Sequence, residues 1–264
     1  MKIVVKLGGK TLEEAALLDR CSAELTALVH SGHCVLVAHG GGARLTQTLG
    51  ALGCSSQFVE GLRVTDAETR DVAVMVLAGL LNKRVVAAFA SQGQFAVGLC
   101  GGDGGAFRAR KLRLNQEGNP DLGFVGEICD ADLRWIEILW SQKAVPVLAS
   151  VALGWDGEYY NVNADHMAAV AAGACGAARL VFLTDVSGLL GADGEVIPKL
   201  SVRQIEELLG DGVASGGMRP KLRACRAAFD WGVEQVVILP AQEIAGLPEI
   251  LNGGLCSLGT RVVA

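Results

Sequence analysis

The sequence predicts an α/β fold built on a mainly parallel central sheet, and three observations carry that expectation. Two β-branched or apolar runs, Ile3-Val4-Val5 and Cys34-Val35-Leu36-Val37-Ala38, each enter a glycine loop and then a helical pattern. Repeated strand, loop and helix units place the carboxyl ends of parallel strands on one edge. The 264 residues are 51% hydrophobic and 19% charged with 35 glycines, which suits a globular α/β chain and excludes a disordered one. That length accommodates one large domain or two lobes.

Net charge of −5 without a basic cluster argues against nucleic acid and anionic membrane as partners. No apolar run reaches spanning length; the longest, residues 167–178, is alanine-rich and stops at Arg179. The N-terminus enters the first strand directly, without a signal peptide. Eight scattered cysteines, with no C-x-x-C and no metal-ligand spacing, read as reduced thiols of a cytoplasmic protein, and no metal site is expected.

Lys6-Leu7-Gly8-Gly9-Lys10 is the stretch around which the rest is organised. Without Cβ atoms, Gly8 and Gly9 let backbone N–H groups approach a ligand. Thr11 with Glu14 reads as a capping box opening a helix. A lysine beside a glycine loop at a strand's carboxyl end suits an anion site, and equally a plain strand-turn-helix with a surface lysine. A Walker A loop would need glycine where Val4 stands, and no G-x-G-x-x-G follows a strand, so both nucleotide fingerprints are rejected.

Leu18, Cys21, Leu25 and Leu28 form one helix face, ended by Gly32. His39-Gly40-Gly41-Gly42 follows the second strand; three glycines suit a nest of N–H donors better than a mere turn. His39 reads as structural. Residues 58–64 form an extended piece ending near Arg63, either a bidentate carboxylate clamp or an ordinary surface arginine. Thr65 with Glu68 reads as another capping box, opening a helix to about residue 78, with a further helix over 79–90. Residues 95–99 are a third strand, followed by the glycine-rich Gly101-Gly102-Asp103-Gly104-Gly105, for which the sequence offers no reason. A hairpin is expected from 106–114 and 123–128 around Asn119-Pro120-Asp121. A helix over 133–142, a strand over 145–148 and a turn at Asp156-Gly157 come next.

Asn161-Val162-Asn163-Ala164-Asp165 then sets three short polar side chains before an alanine-rich helix, more than one cap requires. Beyond a strand over 179–183 lie the polar loop 184–188, a turn at 191–194 and a short helix capped by Ser201 and Gln204. The glycine-rich stretch 210–217 looks mobile. Pro220 suits only a first helical turn, so Lys221 sits near a helix N-terminus, opposing the helix dipole unless an anion binds there. Strands over 236–239 and 261–263 close the chain.

Taken in order, V-K-L-G-G, H-G-G-G, G-L-R-V-T, N-V-N-A-D, L-T-D-V-S-G and G-M-x-x-K resemble the amino acid kinase family, and within it the members acting on N-acetyl-L-glutamate. The likeness runs from Lys2 to Arg261. It implies a three-layer αβα sandwich of two lobes, with residues 1–176 holding the acyl-amino acid and forming a homodimer, and 177–264 holding ATP. It implies ATP-dependent phosphorylation of the γ-carboxylate of N-acetyl-L-glutamate, the second step of arginine synthesis, with Mg²⁺ carried by the nucleotide. Lys6 and Lys221 match the lysines flanking the transferred phosphoryl group, Asp165 the carboxylate holding them, and Gly9, Gly41 and Gly42 the backbone donors. Arg63 and Asn161 match substrate contacts. Thr184, Asp185, Val186, Ser187, Gly188 and Leu189, with Val213, Ala214 and Ser215, match the nucleotide segments.

Some family members carry an N-terminal helix that links dimers into arginine-inhibited hexamers. This chain starts at the strand, so a homodimer insensitive to arginine is expected. Two rivals remain: a kinase of aminoadipate or glutamate held on an acidic carrier protein, and a non-catalytic binding protein. The first would want a basic docking face, for which Arg108, Arg110, Lys111 and Arg113 are a modest run. The second would be supported by loss of either lysine or the aspartate, and all three are present.

Overall fold

The computed structural model describes residues 1–114, 120–191, 194–210, 218–254 and 259–263. In chain order the strands are β1 Lys2–Leu7, β2 Cys34–His39, β3 Phe58–Val59, β4 Leu62–Arg63, β5 Ala96–Cys100, β6 Phe107–Lys111 and β7 Val125–Ala131. They continue with β8 Val145–Ala149, β9 Val151–Gly154, β10 Tyr159–Val162, β11 Arg179–Thr184, β12 Lys199–Ser201, β13 Gln235–Pro240 and β14 Thr260–Val263. Among the described residues one eight-stranded sheet runs β12-β14-β13-β11-β1-β2-β8-β5. The six strands from β13 to β5 are parallel, and β14 runs antiparallel to β13. The chain therefore has the mainly parallel αβα architecture that the sequence predicts, and the sheet is shared by residues before and after 177. Strands β10-β7-β6-β9 close into a small second sheet.

Alternation along the strands divides the core into two layers. Ile3, Val5 and Leu7 of β1 face the Ala15–His30 helix and the long Ala67–Ser91 helix. Val4 faces the other layer, where the Ala164–Ala174 and Met218–Asp230 helices contribute Met167, Ala168, Leu222 and Cys225. Lys6, two residues beyond Val4, points to that same side. Four wholly buried alanines, 168, 169, 171 and 172, let the Ala164–Ala174 helix lie close against sheet and neighbour.

Several local expectations need correction. Thr11 is not a cap: the first helix spans Gly9–Glu13 with Gly8 as its extended N-cap, and Thr11 is buried within it. Helix formation begins directly at the strand's end because Gly8 donates to the Leu183 carbonyl at 3.1 Å, which turns the chain there. Thr65 is not a cap either. Its N–H is taken by the Leu122 carbonyl at 2.9 Å, and Asp66 caps the next helix by accepting from the Thr69 N–H at 2.8 Å. The two helices expected over 65–90 are one, Ala67–Ser91, with a π-helical stretch Val74–Leu81 in its middle. By length and composition it could cross a membrane, contrary to the sequence reading; half of its most apolar window is buried inside the protein. Residues 58–64 are not one extended piece but the hairpin β3–β4, whose turn places Glu60 at φ +48° and Gly61 at φ +79°. Both central residues at positive φ make the tight turn that suits strand twist.

The Gly101–Gly105 puzzle also resolves. A Cβ on Gly104, at φ +61°, would strike the Trp135 ring, and one on Gly102 would come within 2.7 Å of Tyr159. The loop threads between aromatic rings, and Asp103 ties it by accepting from the Cys100 N–H at 2.6 Å. Asn119, Ala192, Asp193 and residues 211–217, on which turns and a mobile loop were expected, lie outside the described residues.

His39 is fully buried beneath this sheet edge, and burial pushes its imidazole down to about 4. Its Nδ1 donates to the Gly40 carbonyl at 2.9 Å while Nε2 accepts from the Asn82 amide at 3.1 Å. Asn82 also donates to the Val147 carbonyl at 2.9 Å, so this one amide joins helix, β2 and β8. Replacing Asn82 with Ala should cost roughly 1–3 kcal/mol by leaving buried acceptors unpaired; thermal unfolding of the variant checks this, and an unchanged midpoint would refute it.

Candidate active site

Two ammonium groups distant in sequence meet at one carboxylate. Lys6 Nζ lies 2.8 Å from Asp165 Oδ1, and Lys221 Nζ lies 3.7 Å from Oδ2, with all three side chains between 12% and 14% exposed. Each is positioned locally. Lys6 is fixed by β1, which is paired on both sides. Asp165 sits in the first turn of its helix, where Asn163 accepts from the N–H groups of Asp165 and His166, both at 3.0 Å. Lys221 sits in the first turns of the Met218–Asp230 helix, over the Phe182 ring at 5.7 Å. Burial drives the Asp165 carboxyl up, but Lys6 and Lys221 together outweigh it and hold it below the ordinary aspartate range. The cluster carries one net positive charge.

A cavity of about 230 Å³ opens beside it, lined by Lys6, Gly9, Gly41, Gly42, Arg63, Ser150, Asn161 and Asn163 among others. Gly9 and Gly42 each begin a helix here with no side-chain cap, so their first-turn N–H groups lie at the cavity, whereas Asn163 caps the helix that begins at Ala164. Nothing stands within 4 Å of where a Cβ on Gly9 or Gly42 would project, whereas one on Gly41, at φ +148°, would strike Leu81. Backbone, not side chain, forms this wall.

Arg63 is 7% exposed and crosses the cavity floor. Its guanidinium donates to Ser56 Oγ, to Thr46 Oγ1 at 2.7 Å and to the Gly42 carbonyl at 3.1 Å, and stacks 4.6 Å over Phe58. Among the described residues no carboxylate pairs with it, so its charge is held ready for an anion. Asn161 donates to Thr65 Oγ1 at 3.3 Å. Sequence reasoning missed Ser56 and Thr46, which aim Arg63, and read Asn163 without its capping role.

The loop of Thr184, Asp185, Val186, Ser187, Gly188 and Leu189 follows β11, next to the Gly8-Gly9 turn through the Gly8–Leu183 hydrogen bond. It is anchored where the Leu189 N–H donates to Thr260 Oγ1 at 2.8 Å. Leu189 is buried while Val186 is exposed, so this segment presents backbone and small polar groups. Val213, Ala214 and Ser215 lie outside the described residues. Within the basic run, Arg110 pairs with Glu127, Lys111 pairs with Asp121, and Arg108 stacks 4.7 Å over the Trp155 ring.

Fold and cluster together define an αβα protein with a cationic cavity at the carboxyl edge of a parallel sheet. A sequence profile of the Amino acid kinase family matches residues 1–240. The chain belongs to that family. It is 55% identical to acetylglutamate kinase from Acidobacterium capsulatum over 264 residues, all of both chains. It is 50% identical to acetylglutamate kinase from Koribacter versatilis, covering 100% of this chain and 99% of that one. N-acetylglutamate synthase from Neisseria gonorrhoeae, solved with coenzyme A and N-acetylglutamate, superposes with a TM-score of 0.85 at 24% identity. That match covers 100% of this chain and 59% of the synthase, and it speaks for the fold.

A carboxyl depressed in the folded state adds stability above its unfolded pKa, near 4, and that contribution is lost as pH falls. The gap in thermal midpoint between the wild-type chain and Asp165→Asn should therefore be widest at neutral pH and narrow below about pH 4. A gap independent of pH would show that the charge of Asp165 is not what it contributes.

Proposed function

We propose that this chain transfers the γ-phosphoryl group of ATP to the γ-carboxylate of N-acetyl-L-glutamate, giving N-acetyl-L-glutamyl 5-phosphate, the second step of arginine biosynthesis. The observation that carries the reading is the Lys6–Asp165–Lys221 cluster beside a cavity holding Arg63, which has no carboxylate partner among the described residues. End-to-end similarity to acetylglutamate kinases supports the choice of acceptor. Residues 1–176 hold the acyl-amino acid and 177–264 the nucleotide. Thr184 to Leu189, with Val213, Ala214 and Ser215, contact ATP.

The chemistry asks for no general base. A side-chain carboxylate with a pKa of about 4.3 is ionised at neutral pH. One of its oxygens attacks the γ-phosphorus, the bond from that phosphorus to the β-bridging oxygen breaks, and ADP leaves with no proton moved. Among the described residues no histidine lines the cavity, and His39 beneath it is buried and neutral with both nitrogens engaged. The barrier lies in bringing two anions together, so catalysis is positioning plus charge stabilisation. Lys6 and Lys221 flank the transferring group, Asp165 keeps their spacing, and the N–H groups at Gly9, Gly41 and Gly42 receive phosphoryl and carboxylate oxygens. Arg63 and Asn161 hold the α-carboxylate and acetylamino group. Mg²⁺ arrives with the nucleotide and offsets charge on its phosphates. Among the described residues no group of three His, Cys, Asp or Glu side chains could hold a metal ion.

The working form is a cytoplasmic homodimer. Strand β5 is the sheet's edge, and Met75, Leu80, Phe95 and Trp135 beside it are exposed by 61%, 40%, 75% and 52%. An open apolar edge of this kind calls for a partner, and a second copy offers the same edge.

ADP release that depends on N-acetylglutamate, and not on glutamate, aspartate or carbamate, tests the reading directly. Lys221→Ala should lower kcat on the order of hundreds-fold, as for loss of an oxyanion donor; retained turnover removes Lys221 from its role. Arg63→Ala should raise KM for the amino acid far more than for ATP, and equal effects would count against the clamp. Met75→Glu should shift the chain from dimer to monomer in sedimentation, and no shift would place the interface elsewhere.

A further inference from the structure

The cavity contains one hydroxyl that the reading above leaves unused. Ser150 interrupts the apolar run Val145-Pro146-Val147-Leu148-Ala149-Ser150-Val151-Ala152-Leu153, between β8 and β9. Both of its backbone groups are committed. Its N–H donates to the His39 carbonyl at 3.1 Å, and its carbonyl accepts from the Val162 N–H at 3.0 Å. The residue is thus pinned between the glycine loop after β2 and the strand carrying Asn161. It is only 2% exposed, yet it lines the cavity, and its hydroxyl makes no side-chain hydrogen bond among the described residues. An enclosed, unpaired hydroxyl on a rigid frame points to a ligand partner.

Sheet order says which part of the ligand it meets. Leu148 and Ala152 lie in the same core layer as Val4, so by alternation Ser150 faces the same side of the sheet as Lys6. Strand ends run β11, β1, β2, β8. The nucleotide loop follows β11 and the transfer point lies over β1. Ser150 sits two strands beyond β1, roughly 9–10 Å away at about 4.8 Å per strand. That is too far for the transferring phosphoryl group. It suits the acyl end of a substrate whose γ-carboxylate lies at Lys6. Charge agrees with distance: Arg63 is available for the α-carboxylate, while a hydroxyl suits a neutral amide.

We propose that the Ser150 hydroxyl hydrogen-bonds the N-acyl amide of the substrate and thereby selects N-acylated over free amino dicarboxylates. A free amine would place an ammonium in this enclosed end of the cavity, where the uncharged Ser150 hydroxyl and Asn161 amide compensate it poorly. The inference rests on the kinase reading above.

The test is Ser150→Ala, a change small enough to leave folding intact, which an unchanged thermal midpoint verifies. Calorimetric affinity for N-acetyl-L-glutamate should weaken about 3- to 10-fold, as for one lost neutral hydrogen bond. KM for that substrate should rise in step, with kcat and the KM for ATP nearly unchanged, and the preference for N-acetylglutamate over glutamate should fall. Unaltered affinity, or a loss confined to kcat, would overturn the assignment while leaving the kinase reading intact. Failure of the wild-type chain to turn over N-acetylglutamate at all would instead overturn the kinase reading, and this inference with it.

Discussion

The structure depends on holding two like charges together. Lys6 and Lys221 repel each other, and Asp165 is the only acid placed between them among the described residues. One carboxylate against two ammonium groups leaves a net positive charge in a largely enclosed place, which favours an anion beside it. Arg63 adds a second cation a short way off, buried and without a carboxylate partner among the described residues. A chain with formal charge −5 thus concentrates positive charge where it faces its substrates. Local field, not net charge, decides what such a cleft attracts.

Much of the surrounding architecture keeps that arrangement rigid. The Ala164–Ala174 helix carries Asp165 and packs with alanines, so the carboxylate comes near β1 without a bulky side chain intervening. Asn163 closes the start of the helix on its own N–H groups. Leu77 and Leu81, from the π-helical part of the long helix, press against Gly41 and leave it no room for a side chain. That contact holds the glycine loop with its N–H groups toward the cavity. π-Helical turns are uncommon and often found beside functional sites, and here both leucines of that stretch meet one loop.

The parallel strands were legible because buried strands are nearly uninterrupted β-branched and apolar runs, and because each ended in a glycine loop. Helix starts were less so. At residues 65–66 two side chains could cap, and Asp66 does so because the Thr65 hydroxyl is engaged elsewhere, donating to the Arg63 carbonyl and accepting from Asn161, 96 positions away in sequence. Gly79 reads as a helix breaker, yet the long helix continues through it, since the surrounding leucines and valines are packed on the sheet. Tertiary contact overrode propensity in both cases. Among the site residues, the lysines, the aspartate and Arg63 stood out by type and order. Ser56 and Thr46 did not, because side chains that only aim another side chain follow no periodicity. Ser150 left a faint trace, a single hydroxyl in an apolar run at the edge where open α/β sheets bind ligands.

Parallel strands also impose a scale on the chemistry. Each strand end offers one loop, and successive ends stand about 4.8 Å apart. A ligand lying across the edge therefore meets the groups in strand order: the 184–189 loop after β11, the Gly8-Gly9 turn after β1, the Gly40–Gly42 loop after β2, and Ser150 after β8. Phosphoryl transfer needs donor and acceptor in line, and this edge is itself a line. The hydrogen-bond ladders that fix β1 to β11 and β2 hold the spacing of the reacting groups, with β8 continuing the row. Displacing β1 by one residue would turn Lys6 into the opposite core layer and away from Asp165. The same register that buries Ile3, Val5 and Leu7 thus fixes where Lys6 meets Asp165.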